Sequence, residues 1–302
     1  AMIKLEAGKT YKLQVEYFDN GGDCLAGLYW KAPSAGSQNV LARFGDAGKV
    51  AAECDVTVAV LGINKSIERE GQDRFSLELP VDQQEFIKEL YKVNPNTVVV
   101  LVAGSSMAVN WMDENVPAIL NAWYPGEQGG NAVAEVLFGD YNPGGRLPLT
   151  YYNSLDEIPA FDNYFVKGRT YQYFEGQPLY EFGYGLSYTK FRYKSKGVNV
   201  EQDTVKVSFE VSNTGKYDGD EVTQVYVKYP ETGTYMPLKQ LHGFKRVHIK
   251  KGKTSKVTIG VPKKDLRYWD EQERKFVTPK GEYTFMVGAS SDDIKFRETV
   301  GL

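Results

Sequence analysis

Hydrophobic and polar positions alternate with a period of two at the start of the chain, which predicts β-strands there. Residues 3–46 contain "YKLQVEYF" and "LAGLYW" on either side of the turn sequence "DNGGD", a pattern typical of a β-hairpin. Two or three strands are marginally stable on their own. We therefore expect residues 1–46 to be the C-terminal strands of a larger β-module.

Continuous apolar runs replace this alternation from residue 50 onward. A strand that is buried on both faces, as in a parallel sheet, has such a run instead of an alternating pattern. Three segments fit this description: "DVTVAVLG" (55–62), "NTVVVLVAG" (96–104) and "PAILNAWY" (117–124).

Apolar positions with helical spacing lie between and after these strands. "VDQQEFIKELYKVN" (81–94) predicts a helix, in which Asp82 and Glu85 have the spacing of a capping box. "GGNAVAEVLFG" (129–139) predicts a second helix that ends before Gly139. Its inward face is predicted to consist of Ala132, Val133, Val136 and Leu137.

The strands and helices of residues 47–190 predict an α/β layer sandwich with a mostly parallel sheet, in which 140–190 are mainly ordered loops. The last part of the chain returns to alternating strands, such as "VKVSFEVSNTG" and "GEYTFMVGAS". Residues 191–302 are therefore predicted to form a β-sandwich of the immunoglobulin or fibronectin kind. The predicted fold class is α/β followed by all-β, preceded by a fragment of a β-domain.

Composition narrows the classes of function. The 302 residues are 42% hydrophobic and 25% charged, which is ordinary for a globular protein. The net charge of −3 comes with no basic tail or face, so we expect no nucleic-acid partner. No apolar run reaches the roughly 18 residues of a membrane-spanning helix, so we expect no membrane segment.

The chain contains only two histidines and two cysteines, which limits its chemistry. The spacing of His242 and His248 matches no metal signature, and nucleotide-binding motifs are absent, so we expect no metal or cofactor and structural roles for both histidines. Acid–base chemistry in the first two hundred residues therefore depends on carboxylates, Lys or Tyr. The sequence leaves open whether Cys24 and Cys54 form a disulfide.

A charged stretch, "SIEREGQDR" at 66–74, follows the predicted strand that ends at Gly62. Ligands of open α/β sheets bind beyond the carboxyl ends of the strands, so Glu68, Arg69 and Glu70 lie where a site is expected. Two carboxylates near arginines can act as a proton donor and a neighbour that tunes it. The alternative is a solvated loop with weak surface ion pairs, and the residues alone do not decide between this loop and a catalytic one.

Two further loops follow the other predicted strands. "VLVAGSSM" (100–107) is similar to a turn that binds an anion before a helix. Because the sequence contains no nucleotide-binding motif, we interpret this stretch as a turn that only packs the chain. "WYPGEQGG" (123–130) places Trp123 and Glu127 towards the same crevice. The alternative is that this loop has no role in binding and that its glycines only turn the chain into the next helix.

Several motifs, in order along the chain, resemble one family. "EREGQDRFSLELP", "VVVLVAGSSMAVNW", "AWYPGEQGGNAVAEVLFGDYNPGGRLPLT", "GRTYQYF" and "PLYEFGYGLSYTKF" are together similar to the C-terminal half of glycoside hydrolase family 3. "PLKQLHGFKRVHIKKG" and "GEYTFMVGASSDDI" resemble the fibronectin type III-like domain of many members. "IKLEAGKTYKLQVEYFDNGGD" resembles the last strands of the PA14 module that is inserted in some of them.

This resemblance implies retaining catalysis by two carboxylates. In the family, a (β/α)8 barrel supplies a nucleophilic Asp, and a loop of the α/β-sandwich domain supplies the acid/base Glu. "SIEREGQDR" matches that loop, with Glu68 as the first choice for the acid/base and Glu70 as the alternative. Asp73 and Arg74 are expected to shape the loop. The candidates for substrate contact are Arg69, Trp123 and Glu127.

The resemblance also implies partners, since no part of the chain resembles the barrel. The expected function is the acid/base part of an exo-acting β-glycosidase that hydrolyses terminal non-reducing β-linked sugars, with an oligosaccharide or aryl β-glycoside as substrate. We expect the chain alone to be inactive, with the barrel on another chain or in a removed fragment. β-Xylosidase and β-glucosidase both stay open, and so does homo-oligomer formation. A periplasmic or secreted location is implied.

Two other classes of function stay open on the sequence. One is a non-catalytic carbohydrate-binding or adhesion protein, made of β-modules around a silent α/β domain. The other is a structural or assembly subunit. Tight oligosaccharide binding by the chain alone would favour the first of these, and a barrel-bearing partner would favour the glycosidase over both.

Overall fold

The structure is a computed structural model that describes residues 43–233 and 235–302, together with residues 9, 10 and 12. The predicted hairpin, its PA14 assignment and Cys24 lie almost wholly outside these residues, so they stay predictions. Cys54 is described, and its exposed side chain carries a free thiol.

The first described domain is built on a parallel sheet, as predicted from the apolar runs. Three strands pair in chain order and in parallel: β1 (Thr57–Gly62), β2 (Thr97–Val102) and β3 (Ala118–Asn121). Four helices flank them: α1 (Ala47–Glu53), α2 (Val81–Val93), α3 (Asn110–Asn115) and α4 (Gly129–Phe138). A short helix, α5 (Thr170–Tyr173), lies in the long loop region that follows.

Helix α2 begins differently from the prediction. Pro80 is its N-cap, and no side chain caps the helix, so the predicted capping box is wrong. Because the helix begins at Val81, Asp82 lies inside the first turn, and Glu85 pairs instead with Arg43 at 3.1 Å. The sequence pattern predicts an apolar face of Phe86, Ile87, Leu90 and Tyr91 for this helix, and Ile87 and Leu90 of this face are buried.

Helix α4 ends as its sequence predicts. Gly139 has a left-handed φ of 84°, a conformation that costs glycine little, and its N–H bonds to the carbonyl of Val136. The predicted inward face is too wide, because Ala132 is exposed and Val133 and Leu137 are half-buried.

The two faces of the parallel sheet differ in burial. Ala59 and Leu61 of β1 belong to the core that α2 and α3 cover. The alternate residues Val58 and Val60 are 46% and 66% exposed. Among the described strands, β1 is at the sheet edge. The exposure of one face of β1 in the described part of the chain is unusual for a parallel sheet, whose faces are normally both covered.

The second described domain is all-β, which confirms the predicted fold class. Its strands are β4 (Phe191–Val200), β5 (Thr204–Asn213), β6 (Gly219–Lys228), β7 (Gln240–Ile249), β8 (Thr254–Pro262), β9 (Tyr268–Asp270), β10 (Lys275–Val277), β11 (Glu282–Gly288) and β12 (Ile294–Gly301). A four-stranded sheet, β12-β11-β6-β7, and a three-stranded sheet, β4-β5-β8, enclose a valine-rich core, and β9 and β10 form a separate hairpin. No helix of the described residues is long and apolar enough to cross a membrane.

A buried ion pair joins the two domains. Arg146, in the loop after α4, donates to the carboxylate of Glu221 on β6 at 2.7 Å, and both side chains are at least nine-tenths buried. The hydroxyl of Tyr193 donates to the other oxygen of Glu221 at 2.6 Å. Burial raises the pKa of Glu221, and the charge of Arg146 and the Tyr193 hydrogen bond offset only part of this effect.

Both histidines have contacts within the β-domain. His242 bonds to the hydroxyl of Tyr229 at 2.8 Å, and burial lowers its pKa. His248 pairs with Asp220 at 2.7 Å. These contacts agree with the structural roles expected of them.

Candidate active site

Three loops leave the carboxyl ends of the parallel strands and meet at one carboxylate. The loop 63–80 follows β1, 103–109 follows β2, and 122–128 follows β3. Because the strands are parallel, all three loops lie at the same sheet edge, where open α/β sheets bind their ligands. Glu68 from the first loop contacts residues of the other two.

Glu68 is the centre of this cluster of hydrogen bonds. Its Oε1 accepts from the backbone N–H of Gly104 and from the hydroxyl of Tyr124, both at 2.8 Å. Its Oε2 accepts from the hydroxyl of Ser105 and lies 3.5 Å from Nε of Arg74. The Glu68 side chain is only 16% exposed. We call these five residues the Glu68 cluster.

The cluster keeps Glu68 ionised. Burial alone would raise the pKa of this carboxyl, but the hydrogen bonds from Ser105, Tyr124 and the Gly104 N–H, with the positive charge of Arg74, together lower it below its ordinary value. The pKa of Tyr124 is raised by burial and by its bond to Glu68. A carboxylate with its oxygens satisfied in this way is a poor proton donor near neutral pH.

Arg74 ties the first loop to the second. Its Nη2 donates to the carbonyl of Ser106 at 2.8 Å, and its Nη1 lies 2.9 Å from the sulfur of Met107. The guanidinium therefore bonds to backbone and side chain of one loop while it neutralises Glu68 of the other. These contacts fit the loop-shaping role expected of Arg74.

Glu70 is placed at the tip of a tight turn. The N–H of Gln72 donates to the carbonyl of Arg69 at 3.0 Å, which closes the turn around Glu70 and Gly71. Gly71 has a φ of +74°, which glycine adopts at little cost and which most other residues avoid. Glu70 is exposed and accepts no hydrogen bond from the described residues. The sequence "EG" therefore presents a free carboxylate to solvent.

The other predicted site residues lie around this cluster without joining it. Trp123 is half-buried and has a left-handed φ of 55°, a strained conformation for a large side chain that is typical of functional sites. Arg69 and Glu127 are exposed and have no hydrogen bond to the Glu68 cluster in the described part of the chain. Their proposed contacts with substrate stay predictions.

Sequence reasoning missed three members of the cluster. Gly104 and Ser105 belong to "VLVAGSSM", which was expected to be a packing turn, and Tyr124 follows the predicted Trp123. The signal in the sequence was positional: each residue directly follows a buried strand of one parallel sheet. Chain position does not show that all three bond to the same carboxylate.

Gly104→Ala is expected to disrupt the cluster. A Cβ at residue 104 would lie 2.5 Å from Cε2 of Tyr124 and 2.8 Å from Oε1 of Glu68, so the Tyr124 ring must move. We expect a loss of roughly 1–3 kcal/mol of unfolding free energy, measured by urea denaturation. Gly130→Ala is the matched control, because its Cβ would meet nothing within 4 Å. Equal stability of both variants would contradict the contact.

Comparison with known proteins finds similarity to parts of glycosidases. Residues 7–188 match the Glycosyl hydrolase family 3 C-terminal domain, and residues 221–291 match a Fibronectin type III-like domain. A xylan 1,4-beta-xylosidase of Xylanibacter ruminicola is 42% identical over 225 residues, which are 74% of this chain and 26% of that protein. A beta-glucosidase of Kluyveromyces marxianus is 36% identical over 314 residues, 97% of this chain and 37% of that protein.

A solved structure has a similar fold. The crystal structure of the Kluyveromyces marxianus beta-glucosidase in complex with glucose superposes with a TM-score of 0.79 and 36% identity, over 85% of this chain and 32% of that one. The chain thus spans about a quarter to two-fifths of the length of these relatives.

Proposed function

Because the chain belongs to glycoside hydrolase family 3, we propose that it supplies the proton-donor half of the active site of an exo-acting retaining β-glycosidase. The other half, the nucleophilic Asp, comes from a (β/α)8 barrel that is not within the 302 residues. The observation that supports this function is the convergence of three strand-end loops on Glu68, with Glu70 free at the tip of the first loop.

Within this proposal Glu70 is the acid/base and Glu68 positions it. A general acid has to hold a proton near neutral pH and reach the glycosidic oxygen. Glu68 is poorly suited to this role, since both of its oxygens accept hydrogen bonds within the cluster and its pKa is lowered. Glu70 is exposed on a turn that Glu68 anchors two residues earlier. The geometry therefore favours Glu70, the alternative of the two sequence candidates.

The two carboxylates act in succession. In the first step, Glu70 gives its proton to the leaving-group oxygen while the barrel Asp attacks the anomeric carbon and forms a glycosyl-enzyme ester. In the second step, the Glu70 carboxylate takes a proton from the water that attacks this ester. The sugar leaves with retained configuration, and both residues return to their starting protonation states.

The sugar at the non-reducing end is glucose or xylose. The relatives include a beta-xylosidase and a beta-glucosidase, and the match to the latter extends over more of this chain. Trp123, Arg69 and Glu127 lie in the same loops as residues of the cluster and are proposed to contact the substrate. A hydroxymethyl group distinguishes the two sugars, and such a group is worth only about 1–3 kcal/mol of discrimination.

The test is an assay of the purified protein with and without its barrel. We expect 4-nitrophenyl β-D-glucoside or β-D-xyloside to be hydrolysed only when a barrel-bearing polypeptide is present. Intact mass measurement and a denaturing gel detect that polypeptide. NMR of the first-formed product should show the β-anomer. An inverted product, or hydrolysis by the 302-residue chain alone, would refute the proposal. Tight oligosaccharide binding by a protein that is inactive even with the barrel would favour a non-catalytic role.

A further inference from the structure

A cavity lies between the two domains, away from the Glu68 cluster. The loop region around α5 forms one wall, and the loops that precede β7 and β12 form the other. Its volume is about 240 Å³. None of the residues that line it belongs to the Glu68 cluster. We call it the junction cavity.

Two buried hydroxyl groups of the junction cavity lack partners. Thr150 and Ser291 line the cavity and are 8% and 1% exposed. Their hydroxyl oxygens are buried without a hydrogen-bond partner among the described residues. Most buried hydroxyls in folded proteins have a partner, because burial without one costs free energy. Both hydroxyl oxygens are buried as placed, so a ligand in the cavity would supply the missing partner after a change of χ1 rotamer turned a hydroxyl towards it.

The remaining lining combines charged and aromatic side chains. Glu181 accepts from Ser290 through Oε1 at 2.7 Å, and its second carboxylate oxygen has no hydrogen bond from the described residues. Lys239 pairs with Asp292 at the cavity. Tyr171 contributes an aromatic ring, which is stacked on the neighbouring Phe182 at 4.3 Å between centroids. The cavity therefore offers acceptors, donors and apolar surface together.

This lining suits a small neutral ligand. Three carboxylates, those of Glu175, Glu181 and Asp292, face one lysine that is already paired, which disfavours an anion. The described residues contain no cluster of ligands that could hold a metal ion. Pockets for drug-sized ligands have roughly 300–1,000 Å³, so a cavity of about 240 Å³ suits a smaller molecule.

We propose that the junction cavity binds one monosaccharide unit as a second sugar site. A pyranose ring presents hydroxyls that both donate and accept, which matches Glu181, Lys239 and the unpartnered hydroxyls of Thr150 and Ser291. Its C–H faces match the aromatic part of the wall. The choice of glucose and xylose as test sugars rests on the proposed function. The cavity and its unpartnered hydroxyls are observed independently of that function.

The experiment is a titration of the 302-residue chain with D-glucose and D-xylose, followed by saturation-transfer NMR and calorimetry. We expect saturable binding in the millimolar range for at least one sugar. The double variant Thr150→Val, Ser291→Ala should bind about tenfold more weakly, the effect of two lost hydrogen bonds. Without sugar its Tm should equal or exceed that of the wild type, because both deleted hydroxyls lack partners.

The matched control removes two bonded hydroxyls far from the cavity lining. Ser208→Ala, Thr258→Val deletes an exposed pair on β5 and β8, 3.0 Å apart, and should leave sugar binding unchanged. Glu70→Gln should also retain binding, which separates the junction cavity from the proposed active site. Absence of saturable binding, or equal affinity of wild type and double variant, overturns the proposal. Loss of binding in Glu70→Gln alone would assign the sugar to the proposed active site and also overturns the proposal.

Discussion

Glu70→Ala in the assembled glycosidase is expected to lower kcat/KM by roughly 10²–10⁴ on substrates with poor leaving groups, because general acid catalysis typically contributes that much. Aryl glycosides with good leaving groups need less proton transfer and should lose less activity in the first step. Azide should restore part of the turnover on them, since it needs no general base to attack the glycosyl-enzyme. Steady-state kinetics over a series of aryl glycosides measures both effects.

Glu68→Ala is the informative comparison for this variant. If Glu68 positions the loop, its removal should also reduce kcat/KM, but azide should not rescue the activity because Glu70 is still present. Glu70→Gln should abolish the limb of the pH profile that reports the acid, whereas Glu68→Gln should retain it. Azide rescue of Glu68→Ala, with full activity of Glu70→Ala, would reverse the assignment of the two glutamates.

Arg146→Met is expected to have the largest effect on stability. Glu221 is 2% exposed, so the variant leaves a carboxylate buried without its cation. Breaking a buried ion pair from one side costs roughly 3–5 kcal/mol. Two effects offset part of this cost. Tyr193 still donates a hydrogen bond to Glu221 in the variant. The substitution also removes Nε of Arg146, a buried nitrogen that has no hydrogen-bond partner among the described residues. Urea denaturation at pH 7 measures the loss.

The pH dependence of this variant has a predictable sign. The folded-state pKa of Glu221 is already raised above the ordinary 4.5, and loss of Arg146 raises it further. A group with a raised folded pKa contributes stability below its unfolded pKa and loses that contribution as the pH rises through the folded value. The gap between wild type and Arg146→Met should therefore shrink as the pH falls from 7 towards about 5, because protonated Glu221 carries no unpaired charge.

An exposed ion pair provides the control for Arg146→Met. Lys206 and Glu201 are 2.8 Å apart, with side chains 47% and 42% exposed. Lys206→Met should cost about 0–1 kcal/mol, with little dependence on pH in this range. If Arg146→Met lowered the free energy of unfolding by no more than Lys206→Met does, the Arg146–Glu221 pair would not stabilise the domain junction.

The fold was largely predictable because its strands have strong patterns. A continuous apolar run that ends in glycine, such as residues 55–62, predicts a strand that is covered on at least one face. Helices α1 and α3 were missed for the opposite reason: they are 7 and 6 residues long and each buries a single residue, so they show no periodicity. The capping box failed because the helix has Pro80 as its N-cap, two residues before the predicted Asp82.

The site was predictable in place but not in detail. The position of "SIEREGQDR" after a buried strand predicted the loop. The roles proposed for Glu68 and Glu70 rest on partners of Glu68 that are 36, 37 and 56 residues away, and no spacing in the sequence reports such contacts. Similarly, Arg146 and Glu221 are 75 residues apart, and only the folded junction shows that they are a pair.

Among the described strands β1 is an edge strand, and this position affects how the chain behaves in a concentrated solution. The segment 56–61, "VTVAVL", has no charge and no proline, and Val56, Val58 and Val60 are exposed along it. Such a strand at a sheet edge is a template for pairing between molecules. We therefore expect the colloidal stability of the isolated chain to be limited by strand-to-strand association at this edge. A charged residue at Val60 would act as a gatekeeper against aggregation.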